Sequence, residues 1–110
     1  MAGTPKLLAQ FTPTASDSQL AVVPSGKRWV ISMVHAANVD TVQRTFRLNH
    51  VQSGGSSTAT NRIAPDIAIP AADMVEFFGG AVMAAGDELR GLSDVTSIIA
   101  VSVYGLEETV

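Results

Sequence analysis

Turn-forming residues interrupt this chain at nearly regular intervals, and the stretches between them are too short for most folds other than a strand-based one. Pro24-Ser25-Gly26-Lys27, Asn38-Val39-Asp40-Thr41, Pro70-Ala71-Ala72-Asp73 and Ala84-Ala85-Gly86-Asp87 each supply Gly, Pro, Asn or Asp where a tight turn needs them. A turn about every ten residues is the spacing of an antiparallel sandwich or barrel. Val, Ile, Leu and Ala dominate the intervening runs, and aromatics make up only 5% of the chain. Such a core suits closely packed sheets. The predicted fold is all-β, an antiparallel, jelly-roll-like β-sandwich of about eight short strands. An N-terminal arm and loop occupy residues 1–18, and the sandwich domain spans 19–110.

The alternation within the runs is informative. Arg28 to Ala37 is apolar on both faces, with Trp29, Ile31 and Met33 on one side and Val30 and Val34 on the other. A strand of that kind is central and covered twice, here by a loop, an arm or another subunit. Val42 to Val51 places Phe46 and Leu48 on one face and Gln43, Thr45, Arg47 and Asn49 on a solvated one. With four turn residues between them, these two runs read as a hairpin. Ser53 to Thr60 is Gly/Ser/Thr-rich and reads as a mobile surface loop. Pro65 makes the run Ile63 to Ile69 an edge strand. Met74 to Phe78 is a short strand, with a helical turn over Pro70 to Phe78 as the alternative. Gly79-Gly80 breaks that segment, Ala81 to Met83 resumes it, and further strands follow at Glu88 to Leu92 and Thr96 to Glu107.

Composition excludes several classes of function. At 110 residues the chain can bury one core without disulfides or metal. With 46% hydrophobic and 15% charged residues it is no disordered segment, and the excess of apolar residues leaves some for a partner surface. There is no cysteine, which removes thiolate chemistry and fits a reducing compartment. The net charge is −3 and the basic residues are scattered, so no nucleic-acid partner is expected. No apolar run approaches the roughly 18 residues of a membrane span, and the first residues lack the basic n-region of a signal peptide. Trp29 and Tyr104 both fall inside apolar runs, where burial is expected.

No motif carries catalysis. His35 and His50 are the only histidines, too few for a cupin-like metal site. Ser53-Gly54-Gly55-Ser56-Ser57 lacks the Gly-Lys-Ser/Thr ending of a phosphate loop, and no Gly-x-Ser-x-Gly elbow exists. Asp66, Asp73, Glu76, Asp87 and Glu88 cluster in the second half without the density of a calcium loop. No enzyme activity, cofactor or metal is expected. Arg44 and Arg47 read either as contacts for an acidic partner or as a solvated strand face.

Several pieces taken in order resemble a known group. Val22-Val23-Pro24-Ser25-Gly26-Lys27, Val30 to Asn38, Ile67-Ala68-Ile69-Pro70, Ala84-Ala85-Gly86-Asp87-Glu88-Leu89 and Val101-Ser102-Val103-Tyr104-Gly105-Leu106-Glu107 follow one another as in small β-sandwich virion proteins of tailed bacteriophages. The resemblance implies a structural part of the particle, made in the host cytoplasm. Capsid decoration (a cement protein) is preferred to a tail, collar or fibre component with a receptor- or glycan-binding role. It also implies self-association, possibly as a trimer, alongside the major capsid protein or other virion proteins. The expected assembly contacts are Leu7, Leu8 and Phe11 of the arm, Trp29, and Arg44 with Arg47.

Overall fold

In the computed structural model, which describes residues 4–78 and 81–110, the chain builds two antiparallel sheets packed face to face. The strands are β1 (Thr4–Phe11), β2 (Ser18–Val22), β3 (Lys27–Asn38), β4 (Arg44–Val51), β5 (Arg62–Ile69), β6 (Met74–Phe78), β7 (Val82–Met83), β8 (Glu88–Ser93) and β9 (Ile99–Thr109). The one helical element among the described residues is a 3-10 turn at Ala59–Asn61. The first sheet has the order β1-β9-β3-β6, with β7 also on β3; the second has β2-β8-β4-β5. Leaving aside the two-residue β7, eight strands are divided four and four. The last lies between the first and third, and the next to last between the second and fourth, which is the jelly-roll order. Residues 1–3 of the expected arm and the Gly79-Gly80 break lie outside the described residues.

Three features depart from the sequence reading. First, β3 and β4 are not a hairpin: they belong to different sheets. Asn38 is the reason. Its buried side-chain amide donates to the carbonyls of Val42, Ile69 and Pro70, and its Oδ1 accepts from the N–H of Asp40. Those bonds turn the chain across the edge of the sandwich instead of back along β3.

Second, β3 does not divide its residues between two faces as strict alternation has them. The pairing with β9 slips between Ile31 and Met33, so that Ser32 is an extra residue. Such a bulge shifts the two-residue period by one. Trp29 and Ile31 before it, and Val34, Ala36 and Asn38 after it, therefore all enter the same interior. The Ser32 hydroxyl donates to the Tyr104 carbonyl and holds the bulge. β1 slips at Leu8, also beside Tyr104, so the central strand β9 is flanked by a bulge on either side at one level.

Third, residues 4–11 do not stand apart as an arm. They pair with β9 along its length, and Leu8, Ala9 and Phe11 pack against the core. The Gly/Ser/Thr loop is likewise tied down. The buried amide of Asn49 donates to the Thr58 carbonyl and the Asn61 side chain, Asn61 donates to the Ser56 carbonyl, and Ser57 donates to Asp17. Asn49 and Val51 are buried beneath this loop, although the solvated face of β4 is where alternation puts Asn49.

β5 is an edge, as Pro65 requires. Pro65 and Asp66 together stand opposite Arg47, and Asp66 takes a φ of 46° in this bulge of β5. Neighbouring strands within each sheet approach closely enough in places to exclude any side chain. A Cβ on Gly91 would overlap the Arg47 carbonyl oxygen, and one on Gly105 the Val30 carbonyl oxygen. Gly91→Ala and Gly105→Ala should each lower stability by about 2–3 kcal/mol. Thermal unfolding should show this as a fall of roughly 10 °C or more; an unchanged midpoint would mean the ladders can part at no cost.

Candidate assembly surface

The inner residues of the first sheet belong to the core, so its chemistry toward solvent is set by the outward ones. Register sorts these into cross-strand rows. Val82, Val30 and Leu106 form one row, and Leu7, Tyr104 and Met33 form the next. Val82 is 55% exposed, Leu7 41% and Tyr104 37%, while Val30, Met33 and Leu106 are half-buried among them. Two adjacent apolar rows thus cross four strands as a continuous band.

The band has polar borders. On one side Arg28 pairs with Glu108 at 2.8 Å. On the other runs the row Gln10, Ser102, His35 and Glu76, in which Gln10 donates to Ser102 and His35 Nδ1 lies 3.0 Å from Glu76. Beyond it Ala100, Ala37 and Met74 form a third apolar row, Met74 being 43% exposed. Arg28 and Glu108 match each other's charge within the chain, and Glu76 is hydrogen-bonded to His35, so both borders of the band are partnered before any neighbour arrives.

The outward face of the second sheet is different in kind. Arg47 donates twice to Asp66, at 2.8 and 2.9 Å. Arg90 bridges Asp17 and Glu88. The Arg47 bond is the largest influence on Asp66 and holds its carboxyl below the usual range. Ion pairs spread over such a surface favour contact with water.

The six sequence-predicted contacts therefore separate. Leu7 lies on the exposed band. Leu8 and Phe11 face the core, and Trp29 is inside it at 4% exposure, its indole N–H donating to Glu107 at 3.0 Å. That bond, followed by the one from Lys6, holds Glu107 below the ordinary carboxylate range. Arg44 is occupied by Asp40 and Asp94, and Arg47 by Asp66, the reading of a solvated and self-satisfied face. Tyr104, expected to be buried, is at the centre of the band. The signal for it was present in β9, where alternation puts Tyr104 opposite to Val101 and Val103.

No protein-family model and no curated protein sequence matches this chain. Among solved structures it is similar to a protein of Bacillus endospore appendages, described as disulfide-linked pili. That match covers 99% of this chain and 89% of the other at 13% identity, with a TM-score of 0.56. At that identity what is shared is the all-β sandwich fold. Looser likenesses are to the infectious bursal disease virus Gx strain (TM-score 0.42, 12% identity, 94% of this chain and 32% of the other) and to a pentameric capsid protein from metagenomic phage sequences (TM-score 0.34, 17% identity, 94% and 64%).

The histidines do not converge. His35 is on the banded sheet, whereas His50 Nε2 donates to Asp87 at 2.9 Å at the end of the sandwich. No group of three or more metal-ligating side chains occurs among the described residues. Asp87 also accepts from the N–H groups of Ser53 and Ala84, joining the loops after β4 and β7. Burial alone would raise its carboxyl pKa, but the bond from His50 and the two backbone bonds outweigh this and hold it below the usual 3.8. A depressed folded-state pKa stabilises above the unfolded value, and that contribution is lost as pH falls through the folded one. Asp87→Ala should therefore cost about 3 kcal/mol at neutral pH. In denaturant titrations the difference from wild type should shrink between about pH 5 and pH 2. A difference that does not depend on pH would show that the carboxylate charge is not what joins the loops.

Proposed function

We propose that this chain is a non-enzymatic structural protein of a virus particle. It self-associates through the apolar band on its five-stranded sheet and decorates a capsid. The observation that carries this reading is the band itself: six apolar side chains in two cross-strand rows, bordered by internally paired polar groups. An exposed patch of that continuity marks an interaction surface. The ordered resemblance of the turn and strand motifs to phage virion proteins supplies the setting. The fold shared with a pilus protein is in keeping with an assembling subunit, although this chain has no cysteine and so cannot be linked by disulfides as those pili are. A tail, collar or fibre component with a receptor- or glycan-binding role is the second reading, and a cleft at one end of the second sheet, lined by His50, Gln52, Ser56, Thr60 and Arg62, favours it.

Because residues 4–11 are part of a sheet, deleting them would damage the fold as well as any contact. Point changes on the band separate the two effects. Wild-type protein at about 100 µM should be oligomeric by light scattering, within the usual range of specific association. The double variant Leu7→Glu, Tyr104→Lys should be monomeric, with unchanged circular dichroism and a melting midpoint within a few degrees. A monomeric wild type, or an oligomer untouched by the variant, would overturn self-association through this face.

A further inference from the structure

The chain has five arginines, and four of them are spoken for: Arg28 by Glu108, Arg44 by Asp40 and Asp94, Arg47 by Asp66, and Arg90 by Asp17 and Glu88. Among the described residues Arg62 alone of the five forms no salt bridge, although its charge helps hold down the Asp66 carboxyl that Arg47 clasps. Carboxylates outnumber basic residues ten to seven, so a scarcity of anions does not explain it.

Arg62 opens β5 on the rim of a cleft of about 480 Å³, which it lines together with His50, Gln52, Ser56, Thr60 and Asn61. Val51 and Ile63 add an apolar patch to the wall. The volume is in the range of small-molecule sites. The walls are fixed by hydrogen bonds already described: Asn61 and Thr58 to Asn49, Ser57 to Asp17, and His50 to Asp87. Because the bond to Asp87 uses Nε2, the imidazole keeps Nδ1 for another partner.

A second groove adjoins the first, sharing Arg62 and Ser56 and lined also by Asp17, Arg47, Asn49, Ser57 and Thr58, with Asp17 engaged by Ser57 and Arg90. Asn49 Oδ1 is the one buried side-chain polar atom among the described residues without a hydrogen-bond partner. That atom is closed to solvent and is no contact for a ligand; the groups a ligand can reach, Gln52, Ser56 and Thr60, both donate and accept. A bare phosphate or carboxylate is acceptor-only when fully ionised, whereas a hydroxyl can donate.

We infer that this cleft is a binding site for an oxyanion carried on a polyol, a sugar acid or a sugar phosphate. Arg62 takes the anion by charge-assisted hydrogen bonds. Gln52, Ser56 and Thr60 meet the neighbouring hydroxyls. No Phe, Tyr or Trp is among the residues that line the cleft, so affinity rests on the anion and is of millimolar order. The site is on the second sheet and does not depend on self-association through the first.

The test is a titration of the 15N-labelled full chain followed by amide shifts. The probes are glucuronate, glucose 6-phosphate, glucose and inorganic phosphate. Either anionic sugar should give saturable shifts at Gln52, Ser56 and residues 60–63. Glucose should give none, and inorganic phosphate should bind more weakly than glucose 6-phosphate. Arg62→Gln, at an exposed position, should keep the melting midpoint and weaken binding at least about tenfold; Gln52→Ala should weaken it less. Absence of saturable shifts with both anionic sugars, or equal affinity in Arg62→Gln, would overturn the site. Phosphate binding as tightly as the sugar phosphate would overturn the polyol part.

Discussion

The pairing of β3 with β9 organises this molecule. These are the two longest strands, and every other strand of the first sheet is attached to one of them. Their contact is unusually close at Gly105, and at the neighbouring step it accommodates one surplus residue, Ser32. The surplus residue decides what enters the core. Without it, the half of β3 that follows would turn Val34 and Ala36 to solvent and carry Met33 inward. With it, one strand delivers Trp29 and Ile31 from its first half and Val34 and Ala36 from its second to the same interior.

The same slip determines what is left outside. Met33 and Val30 come to lie in successive rows beside Tyr104 and Leu106, and those rows compose the apolar band. Core and surface are thus two results of one irregularity. The opposite sheet follows another logic. Arg47 clasps Asp66 in the β5 bulge, Arg90 spans two acids, and a loop is folded over Asn49 and Val51. One broad face carries a continuous apolar band and the other carries paired ions.

Much of this was legible in the residues. Turn spacing gives an all-β sandwich of the right class, Pro65 gives the β5 edge, and the alternation through Ile99, Val101 and Val103 gives the inward face of β9. What was not legible involves side chains acting at a distance. Asn38 looks like an ordinary turn residue, yet its partners at Ile69 and Pro70 are far away in sequence, and they convert an apparent hairpin into a crossing between sheets. Ser32 is a small polar residue in an apolar run, and only the partner strand reveals it as a bulge. The burial of Trp29 and the pairing of Arg47 were not legible because the acids that meet the indole and the guanidinium, Glu107 and Asp66, lie far along the chain. Arg62 drew no notice because an unpaired arginine is visible only after the other pairs are known.

One consequence concerns the ends of the chain. Thr4 stands across from Glu107, and the Val110 amide bonds to the Gly26 carbonyl. The first and last strands are immediate neighbours, so whatever is attached before Thr4 or after Val110 departs from the same corner of the sandwich. Two fused domains would crowd one another there and leave the remainder of the surface free. A short peptide joining the ends would close the polypeptide into a ring with little strain, and new ends could then be opened in a loop elsewhere.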